Sequence, residues 1–238
     1  MRSTAQGGGN IVTDDLVFYV DAANPKSFIN GNTTWDDMGG GNNGTLTNGP
    51  TFDSNNGGSI VFDGTDDYVG FGDVFGFERT DIFSIECWIK VDVVKSDKQT
   101  IISKIQNNSP NTGWLFDVRD SGKLTFLLVN SAANYLGYNV NSVITDINKW
   151  YHIAVTYDGS SDANGVEIYL DSVLQSGTIP SNNLSNTIIN TVDMQIGARD
   201  GSNFPFDGNI SNIKIYNKEL SSTEVLQNYN AIKSRFGL

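Results

Sequence analysis

The chain has 238 residues, a formal net charge of −12 and an isoelectric point near 4.3. So acidic a balance repels a phosphate backbone, which excludes nucleic acid as an expected partner. The single cysteine, Cys87, rules out an intrachain disulfide, and no apolar run is long enough for a secretory signal or a membrane span, so membrane insertion is not expected. A chain of this length buries roughly 70–75% of its unfolded surface on folding and needs no covalent staple. Of its acids 22 are Asp and 5 are Glu, a skew that suits turns, calcium ligation or simply a well-solvated surface.

Residues 1–13, MRSTAQGGGNIVT, form a Gly-rich arm with only Ile11 and Val12 to bury, and such an arm gains order only through contacts with a partner. Leu16 to Asp21 reads as a strand that Asn24-Pro25 ends. Residues 26–50, rich in Gly, Asn and Thr around Trp35, predict a long irregular excursion. Phe83, Ile85, Cys87, Ile89 and Val91 then alternate with Ser84, Glu86, Trp88 and Lys90, the period of a strand with one buried face. Residues 99–105, 114–118 and 124–129 continue the meander, with a tight turn at 119–122, and residues 133–140 follow. The clearest pattern comes next: Tyr151, Ile153, Val155 and Tyr157 share one face, and Val166, Ile168 and Leu170 share another. The polar stretch 158–165 between them predicts a β-hairpin with one buried face on each strand. At the C-terminus Ser221 and Glu224 form a capping box. Val225, Leu226, Tyr229, Ile232 and Phe236 recur at helical spacing, and Gly237 is placed to end a helix that packs on the strands.

These residues also carry a resemblance. Trp150-x-His-Ile-Ala-Val-Thr-Tyr-Asp-Gly159, followed by Val166-x-Ile-Tyr-Leu-Asp171, resembles the central hairpin of the laminin-G-like branch of the concanavalin A-like jelly rolls. Residues 59–64 with Asp66-Asp67-Tyr68-Val69 are similar to that family's early strand pair, residues 83–90 to its first long core strand, and residues 196–199, 206–210 and 213–217 to its closing strands. From about Ser59 to the C-terminus the resemblance implies an all-β fold, a jelly-roll β-sandwich of two antiparallel sheets with a short C-terminal helix. The expected organisation is the arm at 1–13 and a single laminin-G-like domain at 14–238, with an irregular part at 14–58 and a core at 59–238. The stretch Leu-Val-Phe-Tyr-Val-Asp-Ala-Ala-Asn-Pro at 16–25, followed by Thr34-Trp35-x-Asp37 and an Asn/Gly tract, resembles the segment that precedes such domains in tailed-phage virion proteins.

Relatives on this fold that hydrolyse polysaccharides space their acids Glu-x-Asp-x-Glu on one strand, because a retaining pair must face one cleft about 5–5.5 Å apart. Here the five Glu are Glu78, Glu86, Glu167, Glu219 and Glu224, and no strand carries two. The nearest approach, Glu167-Ile-Tyr-Leu-Asp171, lacks the second Glu, so the chain is not expected to be an enzyme. His152, the only histidine, lies on a core strand where the family uses it structurally, and one His with one Cys makes no ordinary zinc site. Asp63, Asp66 and Asp67 lie in a turn that the resemblance implies sits near Asp207, where some family members hold a structural calcium. The same residues read equally as two hairpin turns, Asp63-Gly64 and Asp207-Gly208, and both readings stay open. Asp158, Asp162 and Asn164 form a second, sparser set. For glycan binding, Trp35, Trp114, Tyr135 and Tyr138 can stack on sugars while Arg199, Asp200 and Asn203 supply hydrogen bonds, although aromatics also fill sandwich cores.

The resulting expectation is a phage virion component, either a capsid decoration protein or a fibre-type adhesin, held to other virion proteins by the arm as part of an assembly. The alternative is a calcium-dependent, carbohydrate-binding lectin module, extracellular or at the cell surface, that meets host-surface glycans.

Overall fold

The computed structural model describes residues 10–141 and 143–238, so the first nine residues of the expected arm lie outside the described residues. The described chain begins with strands β1 (Leu16–Asp21), β2 (Thr34–Trp35), β3 (Gly44–Thr47), β4 (Thr51–Asp53), β5 (Ser59–Asp63) and β6 (Tyr68–Gly70). The long core strands follow: β7 (Phe83–Val91), β8 (Gln99–Ile105), β9 (Gly113–Arg119), β10 (Lys123–Ser131), β11 (Asn134–Val140) and β12 (Trp150–Tyr157). Last come β13 (Val166–Leu170), β14 (Val173–Leu174), β15 (Thr178–Asn182), β16 (Gln195–Ile196), β17 (Asp207–Tyr216) and the helix α1 (Ser222–Ile232). The first sheet runs β14-β13-β12-β7-β17-β5-β4, with β1 also pairing with β17, and the second runs β15-β11-β10-β9-β8-β16-β6-β3-β2.

Strand alternation explains why the two sheets stack. Phe83, Ile85, Cys87, Ile89 and Val91 of β7 meet Trp114, Phe116 and Val118 of β9 and Leu124, Phe126 and Leu128 of β10 in one continuous core. Phe83 stacks on Phe77 at 4.1 Å and takes Phe126 on edge at 6.0 Å between ring centroids. Each large apolar side chain so buried contributes about 1.5–3 kcal/mol. Cys87 is one of these fillers, and burial pushes its thiol pKa well up, so it is held as the unreactive thiol.

The excursion at 26–50 contains more structure than its composition predicts. Asp37 organises it by accepting backbone N–H bonds from Tyr19 at 2.8 Å, Gly39 at 2.8 Å, Gly40 at 3.0 Å and Asn42 at 3.0 Å. That clamp lets β2 and β3 form the edge of the second sheet while β1 joins the first, so the N-terminal part is woven into both sheets. The closing strands expected at 206–210 and 213–217 are one strand, β17, with a register shift between Ile210 and Asn212.

The expectation of one buried face per strand fails at the hairpin, because β12 is buried along its whole length. The C-terminal helix roofs the outer face of the first sheet. Ser221 accepts from the Glu224 backbone and the Glu224 side chain accepts from the Ser221 N–H, the capping box expected from the sequence. Trp88 stacks on Phe236 at 4.2 Å and on Tyr229 at 5.6 Å, and Trp150 meets Phe236 at 4.6 Å. Leu226 instead faces solvent, at 45% exposure, and the inward position goes to Asn228.

Asn228 completes a buried polar network between helix and sheet. Its Nδ2 donates to Glu86 Oε2 at 2.9 Å, while Lys214 Nζ donates to Glu86 Oε1 at 2.8 Å. His152 Nε2 lies 3.7 Å from the same carboxylate, with its ring packed beside those of Trp88 and Tyr229, which places the histidine structurally. Asn228 Oδ1 accepts the Val12 N–H at 2.7 Å, and Tyr216 Oη donates to the Val12 carbonyl at 3.1 Å. The end of the expected arm is therefore fastened to the fold itself.

Burial alone pushes the Glu86 carboxyl up, but the Lys214 ammonium and His152 outweigh it and bring the pKa down to about 2. A carboxyl depressed in the folded state adds stability that is fully present above its unfolded pKa, near 4.5, and is lost as the pH falls towards 2. Urea unfolding across pH 2–7 should show that loss, and Glu86→Gln should flatten the profile in this window. Lys214→Met, which leaves a buried carboxylate unpaired, should cost about 3–5 kcal/mol.

Candidate functional site

With the first sheet roofed by α1, the outer face of the second sheet is where side chains converge around a cleft. On β9 the alternation that sends Trp114, Phe116 and Val118 into the core leaves Leu115, Asp117 and Arg119 outside. Ile105 of β8, Leu115 of β9 and Val129 of β10, with Leu127 and Tyr135 against them, form a small apolar cluster separate from the main core. This cluster floors a cleft of about 250 Å³, and Lys98, Arg119 and Arg199 line it as well. An apolar floor with a few convergent polar groups is the usual make-up of a small-ligand site. Two other hollows, of about 450 and 390 Å³, are lined around Ile82 and Phe28 and have no cationic side chain in their walls.

Asp117 fixes the cations. Its side chain is fully buried, and one oxygen, Oδ2, takes Arg199 Nη2 together with Nε and Nη2 of Arg119, both at 3.2 Å. Arg199 Nε also donates to Thr100 Oγ1 at 3.0 Å. Lys98 Nζ and the Arg199 guanidinium both lie over the Phe204 ring, at 4.7 and 4.6 Å from its centroid. Burial, followed by repulsion from Arg199 and Arg119, pushes the Lys98 pKa down.

The structure brings together few of the expected glycan-binding residues. Trp35 and Trp114 are buried in the core and offer no face to a sugar; Trp114 Nε1 donates to the Phe75 carbonyl at 2.9 Å. Tyr138 is half-buried and packs inward, because on β11 it shares a face with the core residues Leu136 and Val140. Tyr135, on the opposite face of β11, lines the cleft with Arg199. Asp200 is turned aside to accept the Asn107 N–H at 2.9 Å, and Asn203 is exposed, donating to the Asp200 carbonyl at 2.9 Å. Sequence reading missed Lys98, Asp117 and Arg119. The signal was there in the out-of-phase positions of β9, where Leu115, Asp117 and Arg119 fall between core residues.

The acidic turn is no hairpin. β5 belongs to the first sheet and β6 to the second, so residues 63–67 cross from one sheet to the other, and Asp207-Gly208 opens a long strand. Carboxylate oxygens of Asp63, Asp66 and Asp67 lie within 4.8 Å of one another. Asp67 is buried and accepts the Asp63 N–H at 3.0 Å; burial, then crowding by Asp63 and Asp66, raises its pKa despite that bond. Such a set of hard oxygens fits a calcium ion. Asp207 does not join it, although it stands opposite Asp63 in register. Lys95 Nζ lies 3.9 Å from Asp207 Oδ2 and donates to the carbonyls of Gly64 at 2.7 Å and Pro205 at 3.1 Å, filling the space between turn and strand with its own positive charge. In the second acidic set, Asp158 Oδ1 accepts the Ser160 N–H at 2.9 Å, and Asp162 Oδ1 accepts from Asn164 N and Nδ2 at 2.8 Å. One oxygen of each, Oδ1, is committed to these local bonds.

Residues 63–226 match the family profile of the concanavalin A-like lectin/glucanases superfamily, laminin G type 3. The chain belongs to this family. Among curated proteins it is similar to botulinum neurotoxin type G of Clostridium botulinum, 28% identical over 162 residues, which is 63% of this chain and 12% of the toxin. Among solved structures it resembles the receptor-binding domain of that toxin with a TM-score of 0.63 at 19% identity, covering 91% of this chain and 51% of the domain. The binding domain of Paraclostridial Mosquitocidal Protein 1 gives 0.67 at 19% identity, covering 92% and 52%. Trypanosoma rangeli sialidase gives 0.68 at 14% identity, covering 99% of this chain and 36% of the sialidase.

The sialidase matches correct the expectation that the chain is not an enzyme. Carboxylate spacing tests only for a hydrolytic pair on the strands of this one sandwich, whereas the same fold forms about a third of an enzyme chain. At 14% identity that likeness carries the fold alone.

For the acidic turn, thermal unfolding with calcium and with chelator is the check. Saturating calcium should raise the melting temperature of the intact chain, and Asp66→Asn should remove the rise while Asp207→Asn leaves it.

Proposed function

We propose that the chain is a carbohydrate-binding module of lectin type that works outside the cell or on a surface, with the cleft on the outer face of the second sheet as its site and calcium as a structural ion at Asp63, Asp66 and Asp67. The observation that carries this reading is the cleft itself: an apolar floor edged by Tyr135, with hydrogen-bond donors fixed around it by a buried carboxylate. A sugar ring needs such a combination, a flat apolar face for its C–H side and oriented donors for its hydroxyls. Membership of a lectin-containing superfamily supports it, as does the likeness to chains whose names describe receptor-binding and binding domains.

The virion role rests on the N-terminal resemblance, the lack of a signal-like apolar run, the acidic surface and an arm expected to gain order from a partner. Of the arm that was to dock on a particle, Val12 is buried and bonded to Asn228 and Tyr216, which favours the lectin alternative over particle docking through those residues.

A glycan array probed with the purified chain should give saturable binding to a restricted set of glycans. Tyr135→Ala should weaken that binding about tenfold, the loss of about 1.4 kcal/mol of stacking, with an unchanged melting temperature. Absence of saturable binding to any glycan would sink the reading.

A further inference from the structure

The cleft's charge is out of keeping with its protein. In a chain of net charge −12, three of the 15 basic residues face one cleft, and no acid stands among its lining residues. Asp117 behind the floor offers a single negative charge to two guanidiniums, and does so through one oxygen. One positive charge therefore remains uncompensated, and Lys98 adds a second. Asp97, the sequence neighbour of Lys98, is an exposed residue and is not in the wall. Nε and Nη2 of each guanidinium are committed to Asp117 or Thr100, whereas Nη1 of each makes no protein hydrogen bond among the described residues. Both guanidiniums line the cleft, are held by one buried carboxylate, and each keeps one nitrogen without a protein partner among the described residues.

We propose that the cleft recognises a carboxylate carried on a sugar-sized ring, with Arg119 and Arg199 binding the carboxylate, Lys98 adding charge at the rim, and Tyr135, Leu115 and Leu127 packing against the ring. For the sugar this rests on the carbohydrate-binding reading; for the carboxylate it rests on the charge geometry alone. Guanidinium groups hold carboxylates through planar, charge-assisted hydrogen bonds, and fixing both forks in advance removes most of the ordering cost of binding. The cleft of about 250 Å³ is of a size to take one such ring. The lowered pKa of Lys98 comes first from burial and then from Arg199 and Arg119, which outweigh the opposing pull of Asp97 and Asp117.

The test is a titration of the full chain at low salt with methyl glucuronoside and with methyl glucoside, which differ in the carboxylate, followed by amide chemical shifts. The glucuronoside is expected to move amides of β8, β9 and β10 and to bind at least tenfold more tightly than the glucoside, with affinity falling as salt is added. Arg119→Ala and, separately, Lys98→Ala should each weaken glucuronoside binding several-fold and leave the glucoside unaffected. Lys98 is not bonded to Asp117, so its variant keeps the test valid should Arg119→Ala loosen the strand ends. Equal binding of both glycosides would overturn the carboxylate proposal and leave the carbohydrate reading standing. Benzoate binding as tightly as the glucuronoside at the same amides would uphold the carboxylate site and remove the sugar from it. No shift with either glycoside at millimolar concentration would overturn the proposal.

Discussion

Glu86 is the group on which the arrangement of this sandwich turns. It is a fully buried carboxylate at the centre of the first sheet, held by a lysine from the neighbouring strand β17, an asparagine from the helix and a histidine from β12. A buried charge is tolerated only where its partners are in place, so the register of β7 against β17 and β12 and the seating of α1 are fixed together. The helix stays where it is because apolar stacking on Trp88 and this one polar anchor agree on the same position. As a result the central strands of the first sheet, β7 and β12, are buried almost throughout.

Much of the sandwich was legible in the sequence because period-two patterning is local: the long strands, the hairpin partners and the capping box follow from residues a few positions apart. Contacts made at long range were not. Nothing near Asn228 marks it as an inward residue, since the carboxylate it serves is 142 positions away. The helical spacing therefore favoured Leu226, which faces solvent. Residues 26–50 looked irregular for a similar reason, because their order comes from the many bonds to Asp37 and not from any repeating pattern.

The site was legible only in fragments. Arg199 and Tyr135 were visible as candidates, but Trp35 and Trp114 illustrate why aromatic residues mislead in a β-sandwich: the surface that suits a sugar also suits the opposite sheet. Which strand residues lie on the outer face of the second sheet follows from two-residue alternation, but facing outward there does not mean exposure: β8 is buried along its whole length and Asp117 of β9 is fully buried.

The fastening of Val12 and the docking of the C-terminal turn place the two ends of the described chain on the same side of the molecule. Asn10 accepts a hydrogen bond from Gln227 of the helix, and Arg235 grips Asp21 with two bonds from Nη1. Both ends lie over the first sheet, and the cleft opens from the second. A support, label or display scaffold attached at either end would therefore hold the domain by its back, with the cleft turned outward. Many copies tethered in this way would present their clefts in parallel, so weak single-site affinity could be multiplied by valency without any change in the cleft.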